Sequence, residues 1–342
     1  MNTEEEKELN TPNTTEESDT EKAKDVNTIK TTENTSTEPE ILLNTELPLP
    51  LFVRGKARDV YELGDKLLIV ATDRISAFDV VLPCGIPNKG KVLNQLSAFW
   101  FEKTKNIVPN HLLAVVDDAS CLDSYLSEES RFAYPSYLNG RSMIVKKAER
   151  IPIEFVVRGF LSGSAWEEYR ENGTVFGTPV IKGLLESSDL PWPIFTPTTK
   201  AEEGHDIPMS MEEVEKIVGE SLAQEIKEKS LAIYNFAQKI ARIPGGFFIA
   251  DTKLEFGLDN GELILIDELL TPDSSRFWDM DLYRVGQPQD SFDKQPVRDW
   301  LTQSGWNKKP PAPVLPPEVI ESTSKRYRTA YERLTGRKLG EN

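Results

Sequence analysis

Residues 248–256, FIADTKLEF, alternate between apolar and polar side chains. The even positions are mostly apolar, whereas the odd positions end with Asp251, Lys253 and Glu255. Because successive residues of a strand point to opposite faces of a sheet, this pattern predicts a strand with one buried face. The other face then carries three charges of mixed sign, which makes it a candidate functional site.

Similar patterns predict the other regular elements. β-rich stretches predict strands over 51–63, 66–72, 141–161 and 262–269. Helical periodicity and capping signals predict helices over 90–106, 162–173 and 210–242, with a last helix near the carboxyl terminus. Residues 177–209 contain many prolines and few periodic signals, so we expect a long loop there, and long ordered loops are often functional. The irregular mixture indicates an α+β fold, or a mixed α/β fold, rather than a parallel doubly wound sheet.

A β-hairpin is predicted after residue 255, and its register decides the geometry of the candidate site. A two-residue turn at 260–261 would put Glu255 and Asp267 on opposite faces. A three-residue loop at 259–261 would instead put both on the face that carries Asp251 and Lys253, about 7–8 Å apart as diagonal neighbours. Two carboxylates at that spacing can hold Mg²⁺ together with a nucleotide. The residues alone leave both registers open, and an ordinary solvated hairpin face with ion pairs also fits them.

The first 40 residues differ in composition from the rest of the 342-residue chain. They contain no aromatic residue, and they carry 12 acidic and 4 basic side chains, half of the chain's net charge of −16. Such a segment cannot bury enough apolar surface to offset the entropy lost on ordering it. We therefore expect residues 1–45 to form a disordered acidic tail that turnover does not require, with order beginning near Leu47.

Composition also limits the class of protein. No stretch approaches the roughly 18 apolar residues of a membrane span, and the acidic start has the pattern of neither a secretory nor a mitochondrial signal. Cys84 and Cys121 are too few for a disulfide framework or a zinc site. The acidic excess argues against nucleic acid as the main partner, although it allows a local basic pocket for phosphates. We expect a cytoplasmic protein with no membrane or nucleic-acid partner.

Two segments resemble phosphate-binding loops. Residues 85–92, GIPNKGKV, nearly match the Walker A pattern, but Val92 stands where that pattern needs a hydroxyl that binds metal. Pro87 also removes a backbone N–H from this segment, so we do not expect a phosphate site there. Residues 54–59, RGKARD, place Gly55 beside basic side chains, where a backbone could approach phosphates closely. An ordinary basic hairpin tip has the same composition.

Seven segments span nearly everything after residue 50. They are GKARDVYE (55–62), ATDRISAFD (71–79), EFVVRGFLSGSAWEEY (154–169), FTPTTKAEEGHD (195–206), IADTKLEFG (249–257), IDELLTPDSSRFW (266–278) and SFDKQPVRDWL (291–301). Together, and in this order, they resemble the SAICAR synthetase (phosphoribosylaminoimidazole-succinocarboxamide synthase) family of purine biosynthesis, in its eukaryotic, single-function form.

This resemblance implies a ligase that converts ATP, the carboxylated aminoimidazole ribotide CAIR and L-aspartate to SAICAR, ADP and phosphate. It implies a two-lobed, SAICAR-synthase-like α+β fold related to the nucleotide-binding lobes of ATP-grasp enzymes and protein kinases. Residues 46–150 would form a β-rich amino-terminal lobe, and residues 151–342 would form the lobe with the metal and substrate site. The implied ligands are ATP, Mg²⁺ and the two small substrates, with no obligate protein partner. Another ATP-dependent carboxylate–amine ligase, or a small-molecule kinase, is the alternative on the same fold.

The resemblance also implies the nucleotide and metal sites. The residues that would lie over the ATP phosphates are Gly55, Lys56 and Arg58. The strand around 145–148, with Val145 and Lys146, would offer backbone groups to adenine. Glu255 and Asp267 match the family's metal carboxylates.

Further matches concern the substrate. The residues that match ligands of the ribotide's phosphate and carboxylate are Lys253, Arg276, Arg158 and Ser164, and the first two are the implied catalytic residues. Lys200, Asp206 and residues 71–79 would lie in or near the cleft, with Lys200 as a further substrate ligand. A general base could be His205 or a carboxylate such as Asp206, or none is needed if aspartate arrives with a free amine. Read without the resemblance, Arg158 is a strand-end surface charge and Ser164 a helix N-cap, while Asp79 and Lys294 are ion-pair partners.

Overall fold

The computed structural model describes residues 41–200 and 207–340, which belong to one compact unit. The predicted tail up to residue 40 and the candidate bases His205 and Asp206 lie outside these ranges. Thr45 is buried, and its hydroxyl lies 2.6 Å from the carboxylate of Asp59, so the chain packs against the fold a little earlier than we expected. No helix within the described ranges is long and apolar enough to cross a membrane.

Strands and helices alternate irregularly along the described part of the chain, as the sequence predicts for an α+β fold. The strands are β1 (Leu51–Arg54), β2 (Arg58–Leu63), β3 (Lys66–Ala71), β4 (Arg74–Ala77), β5 (Val80–Gly85), β6 (Leu112–Val116), β7 (Ser142–Lys146), β8 (Glu149–Arg150), β9 (Ile153–Phe160), β10 (Thr174–Val175), β11 (Thr178–Pro179), β12 (Asp189–Thr199), β13 (Phe247–Asp259), β14 (Glu262–Ile266) and β15 (Ser275–Asp279). The helices are α1 (Lys89–Thr104), α2 (Ser164–Asn172), α3 (Met211–Val218), α4 (Glu220–Arg242), α5 (Gln295–Gln303) and α6 (Pro317–Thr335).

The first sheet is antiparallel, with the strand order β1-β2-β3-β7-β6. Alternate residues of β2 are buried, which agrees with the predicted alternation. β1 is an edge strand and is exposed along its whole length. Residues 55–57 form the turn between β1 and β2, closed by a hydrogen bond of 2.7 Å from the Gly55 N–H to the Arg58 carbonyl. The predicted phosphate-binding segment is therefore a tight turn at the edge of this sheet.

The second sheet has the strand order β12-β9-β13-β14, and β8 and β15 also pair with β13. Helix α4 packs on one face of this sheet. Gly159 on β9 allows the close approach, because a Cβ there would lie 1.9 Å from the hydroxyl oxygen of Tyr234. Neighbouring residues of a strand point to opposite faces, so Arg158 projects from the face that α4 does not cover.

One hydrophobic cluster runs through both predicted lobes. It joins apolar residues of the first sheet and α1 to residues of the second sheet, α4 and α6. Trp100 of α1, Phe155 of β9 and Tyr327 of α6 are all fully buried within it. Because this cluster is continuous, the two sheets share one hydrophobic core, which supports the charged residues that they carry.

Strand β12 corrects our prediction of a long loop over residues 177–209. Residues 189–199 form an 11-residue strand at the edge of the second sheet. Pro191, Pro193 and Pro197 lie in this strand, and an edge strand tolerates proline because one of its sides has no ladder hydrogen bonds to lose. The predicted helix over 210–242 opens with the expected capping box at Ser210 but divides at Gly219 into α3 and α4.

The hairpin of β13 and β14 adopts the two-residue turn. Asn260 and Gly261 have φ angles of +52° and +86°, as a type I′ turn requires at both central positions. Glu255 therefore pairs with Ile266, and the register that would place Glu255 and Asp267 on one strand face does not form. Asp267 lies just beyond the end of β14.

Candidate active site

Glu255 is the centre of a charged group on β13. Its side chain is only 4% exposed, and the ammonium of Lys200 donates to its two carboxylate oxygens at 2.8 and 2.6 Å. Lys253, two residues earlier on the same face, lies 3.4 Å from Glu255 and donates to Glu154 on β9 at 2.8 Å. The structure thus brings Lys200, Lys253 and Glu255 together.

These neighbours keep the group ionised. Burial alone would raise the pKa of Glu255, but Lys253 and Lys200 outweigh it and hold that pKa below its usual value. Burial alone would lower the pKa of Lys253, yet Glu255 and Glu154 more than compensate, so the pKa of Lys253 is raised. Glu255 is therefore a carboxylate at neutral pH, which is the form that binds cations.

Asp267 reaches the same region by leaving the strand. Its φ angle is +67°, in the left-handed region, so its side-chain direction no longer follows the alternation of β14. Arg58, at the start of β2, donates to Asp267 at 2.8 Å and lies 3.3 Å from Glu268. Burial lowers the pKa of Arg58, but the fields of Asp267, Glu268 and Glu255 outweigh it and raise that pKa. Arg58 therefore links the first sheet to Asp267, one of the two predicted metal carboxylates.

His111 supports the unusual backbone at Asp267. The imidazole is buried and hydrogen-bonds to the Asp267 backbone, while the backbone N–H of His111 donates to the Leu265 carbonyl at 2.9 Å. Burial lowers the pKa of His111 to about 4, against a smaller opposing effect of Asp267. The imidazole is neutral at neutral pH, so it holds the turn after β14 without adding charge.

Arg158 and Arg276 meet at a shared carboxylate, Asp251 of β13. Arg158 lies 3.3 Å from Asp251 and donates to the hydroxyl of Thr196 at 3.1 Å, and Arg276 donates to the same Asp251 oxygen. Burial lowers the pKa of Arg158 to about 10. The charge of Asp251 opposes this lowering, whereas the charge of Arg276 adds to it. The Arg158 guanidinium stays charged at neutral pH, and it lies beside that of Arg276, an arrangement that suits an anionic ligand.

A small hairpin orients Arg158 from the other side. The guanidinium of Arg158 stacks on the ring of Phe176, 4.5 Å from its centre. Glu168 of α2 fixes the tip of this hairpin, because its carboxylate accepts hydrogen bonds from the backbone N–H groups of Phe176 and Gly177 at 2.8 and 2.9 Å. Arg158 is thus a buried and oriented side chain rather than a surface charge.

Ser164 begins helix α2 close to Arg276. The residue before it, Gly163, has a φ angle of +54°, and a Cβ there would lie 3.0 Å from the guanidinium of Arg276. The amino terminus of α2 therefore faces the arginine pair, and helix amino termini favour anions. Ser164 does not act as the N-cap, because Gly163 occupies that position.

The residues predicted for the nucleotide lie along the first sheet. Lys56 is exposed on the 55–57 turn and pairs with Asp79 at 2.7 Å, which agrees with the ion-pair reading of Asp79. Val145 is buried in the core. The backbone N–H of Lys146 donates to the His111 carbonyl at 2.8 Å, and its side chain pairs with Asp259 at 2.7 Å.

Sequence reasoning read Lys294 as an ion-pair partner but did not predict the buried cluster around Asp273 to which it belongs. Lys89, at the start of α1, is fully buried with its ammonium 2.7 Å from Asp273. Lys294 lies 3.6 Å from the same carboxylate, and the Tyr327 hydroxyl also donates to it. Asp251 was predicted only as one of the charges on the β13 face, and its role as the shared partner of Arg158 and Arg276 was missed. Arg74 and Asp59 form another buried ion pair at 2.7 Å, next to the 55–57 turn.

Comparisons with known proteins agree with the sequence resemblance. A model of the SAICAR synthetase family matches residues 51–313. The phosphoribosylaminoimidazole-succinocarboxamide synthase of Thermodesulfovibrio yellowstonii is 55% identical over 296 residues, which are 86% of this chain and 99% of that protein. The likeness is therefore not confined to eukaryotic forms of the family.

Two solved structures extend the comparison. The SAICAR synthase of Saccharomyces cerevisiae, complexed with SAICAR, has a TM-score of 0.79 and 44% identity, covering 88% of this chain and all of that one. A SAICAR synthetase in complex with ADP has a TM-score of 0.60 and 25% identity, covering 84% of this chain and 98% of that one.

The fold defines an α+β enzyme with a SAICAR-synthase-like fold, and the grouped charges form its candidate site. Three groups make up this site. They are the Arg158–Arg276 pair, the Glu255 carboxylate bound by Lys200, and the contact between Arg58 of the first sheet and Asp267. This chain belongs to the SAICAR synthetase family. With that membership it is a ligase of purine biosynthesis.

Proposed function

We propose that this chain joins CAIR and L-aspartate at the expense of ATP, forming SAICAR, ADP and phosphate. The observation that carries the proposal is the 2.8 Å contact between Arg58 and Asp267. It connects the predicted nucleotide turn to a predicted metal carboxylate across 209 residues of sequence. The names of solved relatives complexed with SAICAR and with ADP support the same two ligand classes.

The nucleotide would lie along the edge of the first sheet. Gly55, Lys56 and Arg58 would contact its phosphates, where Lys56 is exposed and can exchange Asp79 for a phosphate oxygen. The part of the 145–148 segment that would face adenine with its backbone is 147–148, beyond Val145 and Lys146, because β7 itself pairs with β3 and β6. Lys and Arg side chains suit this task because the triphosphate carries several negative charges close together.

Glu255 and Asp267 would bind Mg²⁺ together with the phosphates of the nucleotide. The described residues contain no group of three or more His, Cys, Asp or Glu side chains that could hold a metal by themselves. Mg²⁺ is commonly bound by one or two carboxylates together with phosphates and water. When bound, the ion would neutralise charge that develops on the phosphate oxygens.

The arginine pair would hold CAIR. Arg158 and Arg276, with Ser164 at the amino terminus of α2, would bind its phosphate and carboxylate. Lys253 lies on the same face of β13 as Asp251, and Lys200 follows the end of β12; both donate to Glu255 and would contact the reacting carboxylate. Lys253 and Arg276 touch the reacting group in this arrangement, so we assign them as catalytic residues.

The reaction needs an activated carboxylate, because a free carboxylate repels nucleophiles and loses oxide poorly. A CAIR carboxylate oxygen would attack the γ-phosphorus of ATP, and the bond to ADP would break. The amine of L-aspartate would then attack the acyl carbon, and phosphate would leave with one oxygen of the original carboxylate. Lys253 and Arg276 would stabilise the negative charge that grows on the carboxyl oxygen during this attack.

Two measurements test this function. ADP release should require CAIR and L-aspartate together, and release in the absence of either substrate would overturn the assignment. With CAIR labelled by ¹⁸O in its carboxylate, released phosphate should carry one labelled oxygen. Unlabelled phosphate would rule out the acyl-phosphate route but leave the overall reaction standing.

A further inference from the structure

The three consecutive carbonyl groups of the 55–57 turn all accept hydrogen bonds from residues 72–74. Arg74 donates to the carbonyls of Gly55 and Lys56 at 2.8 and 3.4 Å. The backbone N–H and the hydroxyl of Thr72 both donate to the carbonyl of Ala57 at 2.9 Å. The whole turn is therefore bound on one side by the segment that leads into β4.

This arrangement sets the direction of the N–H groups. In a trans peptide the C=O and the following N–H point in opposite directions, and the cis bonds in the described chain lie elsewhere. The N–H groups of Lys56 and Ala57 therefore point away from Arg74. Gly55 and Lys56 are exposed on that side, and successive N–H groups that point outward form a binding place for an anion.

Arg74 is itself fixed by Asp59. The two form a two-pronged pair with distances of 2.7 and 3.4 Å, and the Asp59 side chain is fully buried. Asp59 also accepts a hydrogen bond of 2.6 Å from Thr45, and Arg74 donates to the Leu43 carbonyl at 2.6 Å. A planar guanidinium can make these contacts together, whereas a lysine ammonium cannot reproduce them.

We infer that Arg74 is a positioning residue for the nucleotide: it holds the turn so that the Lys56 and Ala57 N–H groups face the phosphates. The inference rests on the proposed function, because it assumes that the turn lies over the nucleotide. Arg74 does not touch the phosphates, since it lies on the carbonyl side of the turn. A purely structural pair would stabilise the first sheet without affecting nucleotide affinity.

The test compares Arg74→Lys with Arg141→Lys. Arg141 forms a matched buried pair with Asp73 at 3.0 Å, in the same part of the fold, and makes no hydrogen bond to the turn among the described residues. We expect Arg74→Lys to raise the KM for ATP about tenfold, the loss of roughly one good hydrogen bond to a charged group. The KM for CAIR and kcat should change by less than about threefold, and Arg141→Lys should keep the wild-type KM for ATP.

Two outcomes would overturn the inference. One is an unchanged KM for ATP in Arg74→Lys, and the other is an equal rise in both lysine variants. If Arg74→Lys does not fold, Thr72→Val decides, because it removes the hydroxyl that donates to the Ala57 carbonyl and accepts from the Arg74 backbone N–H at 3.4 Å. A rise of a few-fold in the KM for ATP supports the inference and no rise refutes it. Wild-type turnover that does not depend on ATP would instead refute the proposed function, so the two failures are distinguishable.

Discussion

The ammonium of Lys200 donates to both carboxylate oxygens of Glu255, at 2.8 and 2.6 Å, so a proposed metal ligand is already paired with a cation. The two residues are 55 positions apart in sequence, at the end of β12 and in the middle of β13. A cation that binds Glu255 must share it with Lys200 or replace that lysine. Replacement would free Lys200 to meet the anionic substrate, which couples metal binding to substrate binding.

Glu255→Gln should abolish most turnover with little loss of stability. An amide keeps the shape and one oxygen acceptor but loses the charge that a metal ion needs, so we expect kcat to fall by about 100-fold or more. Lys253 retains Glu154, and Lys200 is 29% exposed and can turn to water, so Tm should fall by less than about 4 °C. Steady-state kinetics and a thermal melt measure the two effects.

Glu262→Gln is the control for this variant, because Glu262 is exposed at the start of β14 on the same hairpin. It should keep both kcat and Tm. A large drop in the Tm of Glu255→Gln with retained activity would show that Glu255 is a structural residue and would contradict the metal site.

Phe176→Leu should weaken the binding of CAIR. The ring holds the guanidinium of Arg158 by stacking at 4.5 Å, and such contacts contribute about 0.5–2 kcal/mol. We therefore expect the KM for CAIR to rise about threefold to tenfold, with the KM for ATP unchanged. Phe248→Leu is the control, since Phe248 makes the same kind of contact with a different arginine, Arg242, at 5.0 Å. An equal effect of both variants on CAIR would contradict the role of Phe176.

The elements that the sequence predicted correctly depend on short-range patterns. Alternation identified β13, and the Asn260-Gly261 turn was one of two registers that the residues allowed. Lys253 and Glu255 are two residues apart on one strand, so their contact follows from the pleat. Ser210 and Glu213 form the predicted capping box because that motif is local.

The parts that the sequence did not predict depend on contacts between distant segments. Asp267 meets Arg58 only because its backbone adopts a positive φ next to the buried His111. Strand β12 contains prolines that argue for a loop until its place at the sheet edge is known. Lys89 read as part of a false phosphate loop, but it is a buried partner of Asp273, which lies 184 positions away.

Gly163→Ala should lose activity beyond what its loss of stability explains. Its φ of +54° disfavours any side chain, and a Cβ would lie 3.0 Å from the guanidinium of Arg276, so that side chain must move. We expect kcat/KM for CAIR to fall about tenfold or more, because even small misplacements at a site are costly. Kinetics with varied CAIR measure the loss.

Gly173→Ala tests the backbone effect alone at the other end of α2. Its φ is +73°, and a Cβ there would have no neighbour within 4 Å. This variant should lose about 1 kcal/mol of stability but keep its kinetics. If both glycine variants lost activity in proportion to stability, the contact with Arg276 would have no functional role.

The buried carboxylate of Asp273 should make stability depend on acid pH. Burial alone would raise its pKa, but Lys294, Lys89 and the Tyr327 hydroxyl outweigh it and hold that pKa well below the ordinary value of 3.8. A pKa that is lower in the folded state gives stability that is present above about pH 4 and is lost as pH falls through the folded pKa. Asp273→Asn leaves the buried Lys89 without its charge partner and should cost about 3 kcal/mol at pH 5.

Urea unfolding of the wild type and Asp273→Asn between pH 5 and pH 2 checks the sign. The difference in unfolding free energy should shrink as pH falls below about 4, because protonation removes the charge that the variant lacks already. Asp290→Asn is the control, since Asp290 pairs with Arg326 but its side chain is 57% exposed. Its difference from the wild type should be small throughout this range. A difference for Asp273→Asn that stays constant down to pH 2 would show that the cluster is held by packing rather than by the ionised carboxylate.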